Sequence, residues 1–278
     1  MSTMMNVPQL RFSEFSGEWE EKKYGDIYSF YTTNSFSRDN LNYESGEVKN
    51  IHYGDIHTKF STMFRLEDEY VPFANSELNL SKIKEDSYCQ DGDLVIADAS
   101  EDYADIGKTI ELIDLNNEKV LAGLHTFLAR PNKYDMALGY TGYLLQSWKV
   151  RWQVMRESQG TKVLSLSTKR LSNVILTIPQ KQEQEKIASF LSSVDTKIEQ
   201  LTSKAKLLQE YKKGVMQKIF SQEIRFRDDD GSEYPGWVEK KLGDLCKITT
   251  GKLDANAMVE NGQYRFYTCA KDFFQIDN

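Results

Sequence analysis

The sequence predicts an α/β (α+β) domain of about 180 residues, a long coiled-coil-forming helix, and then the opening of a second, incomplete copy of the same domain. Three observations predict this. Short β-rich runs and one helical stretch alternate between residues 27 and 178. An apolar heptad, free of proline, runs from Glu183 to Ser221. One local pattern occurs twice, with its tryptophans 218 positions apart.

The pattern opens the chain. Leu10-Arg11-Phe12 is followed by Gly17-Glu18-Trp19-Glu20-Glu21-Lys22-Lys23-Tyr24-Gly25-Asp26-Ile27. Near the other end, Ile224-Arg225-Phe226 is followed by Pro235-Gly236-Trp237-Val238-Glu239-Lys240-Lys241-Leu242-Gly243-Asp244-Leu245. From each tryptophan to the residue after the aspartate, the copies align without a gap. Solenoid units recur every 20–50 residues or so, so this spacing implies duplication of a whole domain. The second copy reaches only Asn278, so one complete repeat and the start of another are expected.

Between the copies, Val48 to Ile56, Asp93-Leu94-Val95-Ile96-Ala97 and Gly123 to Ala129 mix β-branched, aromatic and aliphatic residues, as strands do. Gly92-Asp93 and Pro131-Asn132 are turn signals. Across 137–157 the apolar positions Leu138, Tyr140, Tyr143, Leu144, Leu145, Trp148, Trp152 and Met155 are spaced as on a helix. Val174-Ile175-Leu176-Thr177-Ile178 reads as a last buried strand, closed by Pro179.

After Pro179 helix formers dominate. Ile187, Leu191, Val194, Ile198, Leu201, Ala205, Leu208, Val215 and Ile219 recur at spacings of four and three, with Lys212 interrupting the seam once. A helix over 183–221 would be roughly 58 Å long. Such a seam predicts a partner helix, from a second copy of the chain or from another protein. Asp228-Asp229-Asp230-Gly231-Ser232 then forms a hydrated turn into the second copy. The expected boundaries are 1–179, 180–221 and 222–278.

Composition excludes several classes. A hydrophobic content of 40% supports a core, so disorder is not expected. No apolar run is long enough for a membrane helix, and residues 1–6 lack a signal pattern. Cys89, Cys246 and Cys269 have neither disulfide-framework nor metal spacing, which points to a reducing cytoplasm. The net charge of −7 opposes phosphate binding, but the charge is unevenly spread. Residues 1–129 hold 11 basic and 24 acidic side chains, whereas 130–170 hold eight basic and two acidic. Such a positive stretch is an electrostatic footprint; its plain alternative is a solvated basic face.

A mixed domain opened by Gly-x-Trp…Gly-Asp, a long helix, and the same opening again resembles the DNA-specificity (S) subunit of type I restriction–modification enzymes. Further strings carry the resemblance. Cys89-Gln90-Asp91-Gly92-Asp93-Leu94-Val95-Ile96-Ala97 is similar to the family's Gly-Asp-hydrophobic strand. Gly160-Thr161, Leu164-Ser165-Leu166-Ser167 and Leu171-Ser172-Asn173 resemble its run into the final strand. Ile178-Pro179 with Gln182-Glu183-Gln184 and Lys186-Ile187-Ala188 resembles the start of its spacer helix, and Tyr211-Lys212-Lys213-Gly214 with Met216-Gln217-Lys218-Ile219-Phe220 resembles its close.

The resemblance implies two target recognition domains held apart by paired antiparallel helices. It implies a non-catalytic subunit, with S-adenosylmethionine, ATP and magnesium bound by partner methyltransferase (M) and restriction (R) subunits. The chain departs from the family in its C-terminal part, where only the start of the second recognition domain is present.

Catalytic constellations are lacking. Gly107-Lys108-Thr109 is not a phosphate loop, because Asp102 stands where that motif needs glycine. There is no Gly-x-Gly cofactor loop and no Asn-Pro-Pro or Asp-Pro-Pro string. Glu21/Lys23 and Glu239/Lys241 have the Glu-x-Lys spacing of metal-dependent nucleases but lack the preceding strand aspartate. His52, His57 and His125 are dispersed, and Asp98, Glu101, Asp102 and Asp105 read as a solvated loop rather than a cation site.

Reading duplex DNA needs phosphate anchors and polar side chains that reach base edges. Thr32, Thr33, Asn34, Ser35 and Arg38 follow the opening motif, and Thr249-Thr250-Gly251-Lys252 recurs at the matching place in the second copy. Lys49, His52, Tyr53, Lys59, Tyr103 and Lys108 are further candidates; Thr161, Lys162, Lys169 and Arg170 are the candidates in the basic stretch. Ile187, Leu191, Val194, Ile198, Leu201, Leu208, Val215 and Ile219 are expected to pair helices. The expected role is sequence-specific reading of one half of a bipartite duplex target while positioning M and R subunits. The alternative is a scaffold or inhibitory module that binds M subunits through the helix and reads nothing. A homodimer through the helix is a further expectation.

Overall fold

The computed structural model describes residues 7–131, 136–269 and 271–277, and the chain divides into two units between Leu207 and Leu208. Asn132, Lys133 and Asp135, used above as turn and charge signals, lie outside the described residues.

In the first unit the chain enters through strand β1 (Glu20–Lys23) and a single helical turn α1 (Tyr24–Ile27). β2 (Tyr28–Tyr31), β3 (Leu41–Asn42) and β4 (Lys49–Ile51) follow, then α2 (Tyr53–Thr58), β5 (Met63–Arg65) and β6 (Phe73–Ala74). Next come β7 (Leu94–Ala97), β8 (Ala99–Ser100), β9 (Thr109–Asp114), β10 (Val120–Ala122) and β11 (Thr126–Pro131). Helices α3 (Tyr140–Gln146) and α4 (Trp148–Glu157) precede β12 (Leu164–Ser165), α5 (Thr168–Leu171) and β13 (Ile175–Ile178).

The central sheet has the order β2-β11-β7-β9-β5, antiparallel except for the β9–β5 pair. Both its faces are covered. Leu94, Val95, Ile96 and Ala97 are all buried, yet Leu94 and Ile96 join one core cluster and Val95 and Ala97 the other. Side chains alternate across a strand, so a sheet packed on both sides needs an uninterrupted apolar run. A second sheet, β10-β4-β6-β3, lies beyond one cluster, with Ile51, Val120 and Ala122 contributing to it.

Three predicted elements differ. The strand expected over 48–56 ends at Ile51, because His52 turns the chain: its Nδ1 accepts the Gly54 N–H (3.1 Å) and caps α2. The strand expected from Gly123 begins at Thr126, whose hydroxyl donates to the Gly123 carbonyl (2.6 Å), with His125 at φ +56°. The single helix expected over 137–157 is broken at Ser147, whose ψ of 142° is extended.

The long helix α6 (Lys181–Phe220) is continuous for 40 residues, about 60 Å. Its head is fixed by the string Gln182-Glu183-Gln184. Buried Gln184 donates to the Pro179 carbonyl (2.9 Å) and accepts the Ala137 N–H (3.0 Å). Glu183 accepts from Arg11 and from the Trp19 indole. From Val194 to Leu208 the seam is bare, with Val194 41% exposed, Ile198 55%, Leu201 54% and Leu208 55%, whereas Val215 and Ile219 are half-buried.

In the second unit, α7 (Leu242–Leu245) is a one-turn helix at the same register as α1, and β14 (Tyr264–Phe266) pairs antiparallel with β15 (Phe274–Ile276).

Candidate nucleic-acid interface

Most of the predicted site residues fall into three groups on the first unit. The first is a cleft of about 630 Å³, walled by Thr32 to Phe36, by the 79–87 segment, and by Leu121 to Phe127. Within it Asn34 is a scaffold: its amide donates to the Asn50 side chain (2.6 Å) and the Ala122 carbonyl (3.0 Å), and its own oxygen accepts the Phe36 N–H (3.0 Å). Thr33 donates to the Thr126 carbonyl (3.2 Å). Among the described residues this bonding leaves Thr32 and Ser35, both exposed, as the loop's uncommitted hydroxyls. The opposite wall carries exposed Lys82 and Lys84, and His125 closes it. Half-exposed His125 faces Asp98 at 3.3 Å, and burial raises the Asp98 carboxyl against the pull of that imidazole.

The second group surrounds buried Asp55. Arg38 grips it in bidentate fashion (2.6 and 2.7 Å) and Lys59 adds a third contact (2.9 Å). Burial opposes ionisation of Asp55, but the bonds and charges of Arg38 and Lys59 outweigh it and hold the carboxyl below its usual range. Lys59 and Arg38 also reach the Tyr43 hydroxyl, and Tyr43 stacks on exposed Tyr70 at 4.5 Å. One acidic and two basic side chains leave a positive, aromatic-backed surface. His52 is nearly buried and serves as a helix cap; it packs on Tyr53, which also meets His57 and His125 edge-on. Lys108 donates to the His57 carbonyl (2.7 Å).

The third group is the basic loop after α4. Gly160 (φ +124°) makes the turn possible, since a Cβ there would stand 2.0 Å from the Val163 carbonyl oxygen. Thr161, Lys162 and Lys169 are exposed, while Arg170 is held by Glu157 (3.6 Å). The footprint of 130–170 is therefore smaller than its composition suggests. Arg130 is spent on buried Asp93 (2.7 Å) and Lys149 pairs with Glu21 (3.3 Å). Lys49, paired with Glu118 (2.9 Å), and Tyr103, 57% exposed, belong to none of the groups. Among the described residues no three His, Cys, Asp or Glu side chains converge as a metal site, and no helix is long and apolar enough to cross a membrane.

Sequence reasoning missed Lys82, Lys84 and Asn79 as walls of the cleft. They lie in a polar segment without periodicity, and only its fold against the 121–127 turn gives them a role.

The family profile of the type I restriction modification DNA specificity domain matches residues 16–209. The chain belongs to that family. It is 28% identical over 157 residues to the MjaVIII specificity subunit of Methanocaldococcus jannaschii, covering 54% of this chain and 36% of that protein. It is 52% identical over 42 residues to the Escherichia coli EcoDI specificity subunit, covering 15% of this chain and 10% of that one. The S subunit of M. genitalium shares the fold, with a TM-score of 0.51 at 11% identity over 99% of this chain and 65% of that chain. The matches thus span about a third or less of the length of these curated relatives.

Proposed function

We propose that this chain is a non-catalytic, sequence-reading subunit of a type I restriction–modification system. Its first domain reads one half of a bipartite duplex target. α6 sets the spacing and docks methyltransferase subunits; S-adenosylmethionine, ATP and magnesium act on the M and R partners. The observation that carries this reading is the cleft: rigidly held Asn34 presents free Thr32 and Ser35 hydroxyls opposite Lys82 and Lys84. That combination supplies polar groups for base edges and cations for phosphates. A helix of about 60 Å exceeds one duplex turn of about 34–36 Å, enough to place readers on successive turns.

The test is fluorescence anisotropy on duplex DNA with the cognate methyltransferase subunit present. Lys82→Glu/Lys84→Glu should weaken DNA binding at least about tenfold and flatten its salt dependence, with methyltransferase binding retained. Unchanged DNA binding would instead favour the scaffold reading.

The bare seam favours a second feature, antiparallel pairing of α6 with another helix. Pairing with a second copy of this chain would give a twofold reader of a palindromic split site. Light scattering on Ile198→Asp/Leu201→Asp should show a monomer where the parent is a dimer; a monomeric parent at micromolar concentration contradicts this pairing.

A further inference from the structure

Among the described residues of the first unit, three non-glycine residues take a left-handed φ: Asn116 (+52°), Asn117 (+57°) and His125 (+56°). Asparagine suits that backbone, and Asn116 and Asn117 lie where the chain merely turns between β9 and β10. His125 lies in the turn between β10 and β11, at the wall of the cleft. Asparagine would serve the backbone there at least as well, so the turn alone gives no reason for an imidazole. That turn is anchored from several sides. Gly123 donates its N–H to the Ile51 carbonyl (2.9 Å), and a Cβ on it would stand 2.5 Å from the Asn50 amide nitrogen. Thr33 donates to the Thr126 carbonyl (3.2 Å), and the Asp98 N–H to the His125 carbonyl (3.0 Å). The side chain of His125 therefore projects from a fixed origin.

Asp98 fixes the ring as well. Its carboxylate stands 3.3 Å from His125 Nδ1, and a carboxylate accepts, so Nδ1 carries a proton in this pair. Nε2, across the ring, takes no partner among the described residues, and the side chain is half-exposed. With Nδ1 protonated, Nε2 accepts when the ring is neutral and donates when it is charged. Asp98 favours the charged ring. The other titratable and charged groups around it are Tyr53, edge-on from α2 at 5.3 Å, His52 beside that tyrosine, and Lys82 and Lys84 on the facing wall. Burial, and then the charge of Arg38, hold the His52 imidazole below its usual range, so His52 is not the ring that gains charge near neutral pH. The two lysines oppose a third cation until an anion enters the cleft.

We infer that His125 contacts duplex DNA as an imidazolium, its Nε2–H donating to a phosphate oxygen or to the O6/N7 edge of a guanine, while Asp98 positions the ring and balances its charge. This role presupposes that the cleft reads DNA. The duplex brings negative charge that offsets Lys82 and Lys84 and adds to the pull of Asp98. A proton from solvent is therefore bound together with the duplex, and affinity rises as pH falls. His125 differs in this from Thr32 and Ser35, whose hydroxyls keep the same charge at every pH near neutral.

Fluorescence anisotropy tests this with the full chain and its methyltransferase subunit, between pH 8 and pH 6. Two probes are used: a random-sequence duplex and the site selected from a duplex library. The parent should bind about tenfold more tightly at the lower pH. His125→Asn, which suits the left-handed backbone, should abolish that rise and leave affinity at pH 8 within about twofold. Asp98→Asn, which keeps the side chain's shape, should shrink the rise and also leave binding at pH 8 intact. A rise on both duplexes assigns the contact to phosphate, and a rise on the selected site alone assigns it to the guanine edge. Affinity that ignores pH, or a rise that survives His125→Asn, overturns the role of His125 even where Lys82→Glu/Lys84→Glu abolishes binding and the cleft still reads DNA. Equal loss at both pH values in His125→Asn makes the residue structural and overturns it too. A parent that binds neither duplex at any pH removes the cleft reading and this role together.

Discussion

α1 and α7 have nearly the same sequence and the same local structure, yet Tyr24 is fully buried and Leu242 is 64% exposed. Gly25 and Gly243 differ in the same way. A Cβ on Gly25 would lie 2.7 Å from that of Ser172, whereas one on Gly243 would meet nothing within 4 Å. Local sequence thus suffices for the single turn, while burial comes from partners about 150 residues further along the chain. β1 gains its ladder from β13, α1 donates to the Val174 and Ser172 carbonyls, and Arg11 and Trp19 reach Glu183. Among the described residues the second copy has the motif without those partners.

The largest effect separating the two copies should come from the clamp. Glu183→Ala would leave Arg11, only 12% exposed, facing its loop without a counter-charge. A loss of about 3 kcal/mol is expected from urea unfolding. Arg225→Ala, at the equivalent place, should change stability by less than about 0.5 kcal/mol. Equal losses would show the copies to be equally partnered.

A pH effect of similar size belongs to the first unit alone. Burial raises the Glu111 carboxyl from 4.5 to about 7, although it accepts the Gly139 (2.7 Å) and Gly142 (2.6 Å) N–H groups at the head of α3. A folded state that holds its proton more tightly than the unfolded chain loses stability as pH rises from about 4.5 to 7. The loss is on the order of 3 kcal/mol. Glu111→Gln should remove that slope, seen as urea midpoints that no longer diverge between pH 5 and 7.5. An unchanged slope would place the titration elsewhere.

Gly25→Ala should cost about 1–3 kcal/mol through its collision with Ser172, whereas Gly243→Ala should be neutral or slightly stabilising. Thermal melts of the pair decide it. A cost at Gly243 would reveal packing around the second copy.

Much of this was legible in the sequence. The duplication, the last strand and the long helix announce themselves through register, an apolar run closed by proline, and a heptad. The Gln-Glu-Gln string could be aligned but not explained, because its partners Arg11, Trp19 and Ala137 are distant in sequence. The cleft was half visible. Thr33, Asn34 and Ser35 were marked by their chemistry, but Asn34 proves to be committed to Asn50 and Ala122, and Lys82 and Lys84 join only through tertiary folding. Charge counting overstated the basic stretch, since Asp93 and Glu21, which neutralise Arg130 and Lys149, come from outside it.

Selection from a random-site duplex library, with the methyltransferase subunit bound, tests the reading of DNA most directly. Enrichment of a defined half-site is expected, and it should change or disappear when Thr32 and Ser35 are replaced by alanine. A folded complex that binds the library without enriching any sequence would contradict it.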